Sequence, residues 1–175
     1  DLIGDNITID GQGYTITVTV ANYPGFIKNG TDSTNALCAN CTIKNINVVV
    51  IGSGSLAQGG GWIGQQCFGI GINGGNILFK NCSSTGGINE FGGGISGNKT
   101  SDKIANSTIT FNNCYSIGAM GQKAGGISGN KTGIEMNSST ITFNNCYSIG
   151  TIANFAGGIS GRNTGKSMIN GSTIS

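Results

Sequence analysis

The chain has no histidine, one proline and one tryptophan, and only 9% of its residues are charged. Each shortage removes a class of function. Without histidine there is no Ser-His or Cys-His pair to activate a nucleophile. The nine Lys and Arg residues are scattered along a chain of net charge +2, whereas phosphate backbones demand clustered cations, so no nucleic-acid partner is expected. No run of 18 apolar residues occurs, so membrane insertion is not expected either. With a single proline and few strong helix formers, the chain is instead rich in Gly (33 residues), Asn, Ser, Thr and β-branched residues. These favour strands and tight turns over helix.

What the sequence does contain is repetition. The phrase STITFNNCYSIG stands at 107–118 and again at 139–150, a step of 32 residues. GGISGN at 93–98 keeps the same step to 125–130, and GGISGR to 157–162. A fixed period of this size marks a repeat architecture in which each unit buries its apolar face only by stacking on the next. Walked backwards, the period aligns Ile7, Cys41, Ile77, Ile109 and Ile141, with Ile9, Ile43, Phe79, Phe111 and Phe143 two places on. Apolar residues at alternate positions flank a residue that is mostly Thr, the pattern of a strand with one buried face.

These columns predict an all-β chain: a single right-handed parallel β-helix of about five coils over residues 1–175. Residues 1–67 form irregular coils and 68–175 regular 32-residue repeats. A match between Phe68–Gly74 and Phe91–Gly97 at an offset of 23 suggests a 23-residue coil whose second strand carries the column Ile72/Ile95/Ile127/Ile159. The remaining length is then a polar loop at 98–107, 130–139 and 162–172, stacked along one edge. Two further excursions, 21–37 and 52–66, break the repeat in the first coils. Asn45, Asn81, Asn113 and Asn145 share a column after the first strand. Their amides are expected to hydrogen-bond along the axis, buried within the turn.

The phrases AGGISGNKTG and NNCYSIG resemble the GLUG-type repeat of secreted bacterial adhesin-like proteins and some large-virus proteins, over residues 68–175. The opening NITIDGQGYTI resembles the first coil of pectin-lyase-like β-helices. That resemblance implies a β-solenoid in an extracellular or surface-exposed, secreted setting.

Many pectin-lyase-like helices cleave polysaccharides, which calls for two carboxylates about 5–10 Å apart or a carboxylate cluster holding calcium. The acidic residues here are Asp1, Asp5, Asp10, Asp32, Glu90, Asp102 and Glu135, and no two share a column or stand one coil apart. No catalytic residue, metal or cofactor is therefore expected. Asp10 reads as a turn residue in Asp-Gly.

Cys82, Cys114 and Cys146 keep the repeat step and read as reduced, stacked core residues. Cys38 and Cys67 lie off the column and are the candidate disulfide of an extracellular chain. Cys38-Ala-Asn-Cys41 lacks the second pair that a zinc site needs. Among nine Asn-x-Ser/Thr sequons, those at Asn98, Asn106, Asn130, Asn137 and Asn170 sit in the loops, and Asn29 in an excursion, so these six are the glycosylation candidates. Asn81, in the Asn column, is expected to be bare. Thr108/Thr110 and Thr140/Thr142 hint at an ice-binding face, but the other coils place Asn and Leu there.

The chain opens on Asp1 and closes on Ser172-Thr173-Ile174-Ser175, the start of another STITF phrase. It reads as a processed or partial product. Unpaired edges at top and bottom invite another strand. The preferred function is accordingly a structural subunit whose Thr173, Ile174 and Ser175 are continued by Asn6, Ile7, Thr8 and Ile9 of a second copy, head to tail. The alternatives are continuation within a longer polypeptide, or a carbohydrate-binding or adhesin module with Trp62, Tyr115 and Tyr147 as aromatic contacts, unless those rings pack between coils. Incubation with acidic polysaccharides should release no reducing ends. Release that disappears in Asp10→Ala would overturn this reading of the acidic residues.

Overall fold

The structure, a computed structural model, describes residues Asp1–Ser175. It contains strands and turns but no helix. The strands are β1 (Ile7–Asp10), β2 (Thr15–Val18), β3 (Asn40–Lys44), β4 (Asn47–Val50), β5 (Asn76–Lys80), β6 (Ser83–Ser84), β7 (Thr108–Asn112), β8 (Tyr115–Ser116), β9 (Thr140–Asn144), β10 (Tyr147–Ser148) and β11 (Thr173–Ile174). All strand pairs are parallel and build two sheets, β1-β3-β5-β7-β9-β11 and β2-β4-β6-β8-β10. In the first sheet Ile7 pairs with Cys41, Cys41 with Ile77, Ile77 with Ile109 and Ile109 with Ile141. This is the register that the repeat predicts. The chain is a parallel β-solenoid of about five coils.

The third wall consists of stacked single-residue bridges. Gly61, Gly93, Gly125 and Gly157 form one column, Gly64, Ser96, Ser128 and Ser160 a second, and Asn73, Ala105, Asn137 and Ile169 a third. These bridges correct the 23-residue coil with a projecting loop. Residues 98–107 and 130–139 are wound into the body, with Thr100, Ser101, Ile104, Thr132 and Met136 buried. Their turns stack because backbone groups alternate in direction: Lys99 N–H donates to Asn130 O, while Gly133 N–H donates to Thr100 O. The regular coils are therefore 32 residues long, while the register of the first two gives steps of 34 and 36.

The same hydrogen bonds reassign one column. Ile63 N–H donates to Ile95 O and Ile95 N–H to Ile127 O, whereas Ala105 N–H donates to Ile72 O. Ile63, not Ile72, continues Ile95, and Ile72 heads a separate column with Ile104 and Met136. Two Gly-rich phrases per coil made the 23-residue offset look like a period. The supposed excursions are also wound in, since Tyr23 bridges Leu56, Ile27 bridges Gly64 and Ala36 N–H donates to Ile70 O.

One core runs through the coils from Leu2 to Ile141. Phe79, Phe111 and Phe143 stack with ring centroids 5.0 Å apart. Beyond them the coil narrows, and Ser84 and Ser116 donate to Gly94 O and Gly126 O at 2.7 and 2.6 Å. A side chain at Gly126 would collide with Gly158 O and Ser148, so only glycine lets the backbone approach. In the second coil Trp62 fills the corresponding space, its Nε1–H donating to Gly86 O at 3.2 Å. Phe111→Ala should lower unfolding free energy by about 3–5 kcal/mol in denaturant titration. Tyr14→Ala, at an exposed position, should stay within about 0.5 kcal/mol of the parent. Equal effects would contradict the assignment of the core.

Candidate functional site

The turns after β3, β5, β7 and β9 each have a left-handed residue, Asn45, Asn81, Asn113 and Asn145 in turn, with φ between 49° and 54°. Asparagine tolerates this conformation better than other residues with a Cβ. Asn145 Nδ2 donates to Asn113 Oδ1 at 3.3 Å, Asn113 to Asn81 at 3.2 Å and Asn81 to Asn45 at 3.0 Å. Asn45 Nδ2 then donates to Asp10 Oδ1 at 2.9 Å. The ladder is as expected, but it is not buried. Asn81, Asn113 and Asn145 are exposed, because the left-handed turn carries the amides outward. Asp10 closes the row: hydrogen bonds from Asn45 and the Gln12 N–H hold its carboxyl below the usual range.

Beside the ladder, Tyr115 and Tyr147 stack at 5.1 Å with planes 3° apart. Their faces look along the solenoid axis, toward each other, and the far face of Tyr147 is open. Trp62 is fully buried, so it offers no surface platform. Cys38 and Cys67 are not joined, and all six cysteines are free thiols. Cys38 Sγ donates to Asn40 O and Cys67 Sγ to Asp32 Oδ1, both at 3.3 Å. Burial, with Asp32 beside it, pushes the Cys67 thiol up to about 12. The excursions beside which the two cysteines lie are wound into the wall as separate turns.

The sequons divide by environment. Asn29 and Asn130 are buried, and the Asn29 amide is spent on both backbone groups of Cys38. They are withdrawn as exposed acceptors. Asn106 and Asn170 are exposed, while Asn98 and Asn137 are half-buried.

The acidic side chains go to separate partners. Asp1 meets Lys28, Asp32 meets Lys99 and Glu90 meets Lys123. Asp5 accepts from the Ala39 and Asn40 N–H groups. No three His, Cys, Asp or Glu side chains converge on a metal position. Asp102 is 5% exposed and its Oδ1 has no partner. Desolvation, reinforced by Glu135, raises its carboxyl above the ordinary range.

The least satisfied surface is the end of the last coil. Ile88 and Met120 are each 2% exposed, but Ile152, next in their column, is 57% exposed. Phe143, Cys146 and Ile159 are only partly buried where the preceding members of their columns are fully buried. Ile149 and Phe155 lie exposed in the same coil. At the opposite end β1, with Asn6, Ile7, Thr8 and Ile9, pairs only with β3. Thr173 and Ile174 pair with Thr140 and Ile141, and Ser175 exchanges backbone hydrogen bonds with Ile141 and Phe143. Ile152 and Phe155 escaped the sequence reading although the 32-residue step from Ile88 through Met120 leads to Ile152.

No family model matches the chain, and no curated protein or solved structure is significantly similar to it.

An acid whose folded pKa is raised penalises the native state at pH values above that pKa, and the penalty lifts as pH falls through it. Asp102→Leu, set between Ile70 and Ile134 in its column, should raise the denaturation midpoint at pH 7. The gain should shrink on acidification. A variant no more stable than the parent at pH 7 would count against a desolvated carboxylate.

Proposed function

We propose that the chain is a structural β-solenoid subunit that extends along its axis by coil-on-coil stacking with a second copy, head to tail. The observation that carries this reading is the column Ile88, Met120, Ile152, buried in two coils and exposed in the last. A cross-section of apolar core beside unpaired strand edges gains from another coil both the hydrophobic burial and the ladder hydrogen bonds. The open face of Tyr147 continues the same logic, since Tyr115 already uses its own face on Tyr147. One end differs from the other, so the contact is heterologous and propagates into a filament. The edge offered by the second copy is β1, through Asn6, Ile7, Thr8 and Ile9.

The Gly-Gly-Ile-Ser-Gly and Asn-Cys-Tyr phrases resemble GLUG-type repeats of secreted adhesin-like proteins, which supports an extracellular or surface setting. In that setting Asn106 and Asn170 are the favoured glycan sites, and no catalytic role is assigned. A carbohydrate-binding module resting on aromatic platforms loses support, because Trp62 is buried and the two tyrosines face each other.

Sedimentation velocity at rising concentration should show the average mass growing, with rods of constant width in negative stain. Ile152→Asp combined with Phe155→Asp should hold the chain at monomer mass. A native chain that stays monomeric at every concentration would overturn the assembly.

A further inference from the structure

Six of the nine cations, Lys99, Lys103, Lys123, Lys131, Arg162 and Lys166, come from distant stretches of sequence but share one edge of the solenoid. Lys99 N–H donates to Asn130 O and Lys131 N–H to Arg162 O, so Lys99 and Lys131 stack one coil apart with Arg162 beside them. Arg162 N–H in turn donates to Lys123 O. Further along the same turns, Lys103 N–H donates to Ile134 O and Glu135 N–H to Lys166 O.

The anions on this edge do not neutralise it. Asp32 is taken by Lys99 and Glu90 by Lys123. Asp102 is buried beneath the surface with its carboxyl raised, which leaves Glu135 as the exposed counter-charge. Lys103, Lys131, Arg162 and Lys166 make no ion pair. Lys99 and Lys131 stand one coil apart in stacked turns, and the one carboxylate close to both, Asp32, is paired with Lys99.

We propose that this edge binds a linear acidic polysaccharide, lying along the solenoid axis and held through its carboxylate or sulfate groups. Neighbouring coils are about 4.8 Å apart, so cations recur along the edge on the scale of one sugar residue. An extended polymer with one anion per sugar can therefore meet several of them at once. Asn98 lies half-buried within the same edge, its Oδ1 accepting from the buried Asn130 Nδ2 at 3.3 Å, and its own amide N–H groups are available to a hydroxyl. Single-stranded nucleic acid is disfavoured because it needs free aromatic faces for base stacking. Here Lys123 Nζ already sits 4.7 Å from the Phe91 centroid and Arg162 Cζ 5.1 Å from that of Phe155. The proposal concerns the side of the solenoid and is independent of stacking at its ends.

Titration calorimetry with polygalacturonate, chondroitin sulfate, neutral dextran and poly(dT) tests it. The native chain should bind at least one of the two acidic polysaccharides, more weakly as salt is added, and should ignore dextran. Lys131→Gln/Arg162→Gln/Lys166→Gln should weaken that binding at least tenfold with an unchanged circular dichroism spectrum, and each single variant should weaken it in part. Lys80→Gln, on the outer face of the first sheet, should leave it unchanged. Failure to bind either acidic polysaccharide, equal binding of dextran, tighter binding of poly(dT), or undiminished binding by the single variants would each overturn the proposal. Binding of polygalacturonate shows that carboxylates suffice, whereas binding of chondroitin sulfate alone, which carries both groups, assigns the contact to sulfate.

Discussion

Parallel stacking in register sets a side chain on top of its counterpart from the previous coil, at a spacing of about 4.8 Å. Every column must therefore be compatible with itself. Phenyl rings satisfy this by stacking, as Phe79, Phe111 and Phe143 do. Asparagine satisfies it because one amide carries both a donor and an acceptor, so each rung bonds to the next. Charged residues do not, since like charges repel across neighbouring strands. The low charge content and the single proline, which has no N–H for the ladder, follow from this constraint.

The exceptions mark where the columns change. Asp10, as a carboxylate, only accepts, so it ends the Asn ladder that Asn45 begins. Asp102 interrupts an isoleucine column and is left with a desolvated oxygen. Trp62 takes the place that Gly94, Gly126 and Gly158 occupy in later coils, and the wider second coil holds Val48 and Val50 where the later coils have Ser and Gly. The wide second coil is thus followed by three narrow ones that share a common backbone path.

The same constraint shapes the surface. An end face is the core in cross-section, so apolar columns and open strand edges are exposed there together, and Ile152 and Tyr147 belong to it. The sides carry no such burden. Outward positions on the turn-built edge are free to vary, and there the cations Lys103, Lys131, Arg162 and Lys166 collect without carboxylate partners. An axial surface suited to further coils and a lateral surface suited to a polyanion are compatible in one rod, because they use different sides of the same coil.

Within the sequence, the recurrence of STITF and GGISG determined the parallel sheets, their strand register and the Asn ladder, because side chains that stack on their own kind leave an exact period in the chain. The three-residue columns from Ile7 to Ile141 are local signals repeated at long range, and they needed no knowledge of the third wall. What the tertiary structure decided was the path between strands. Residues 98–107 are polar and look like a loop, yet alternating left-handed turns satisfy their backbone groups against the next coil and draw Thr100 and Ile104 inward. Which of two similar Gly-rich phrases meets Gly93, whether Trp62 faces in, that Asn29 and Asn130 are covered, and that six separated cations share an edge all depend on that path. Each is fixed by which coils become neighbours, a property of the wound chain that no single stretch of it encodes.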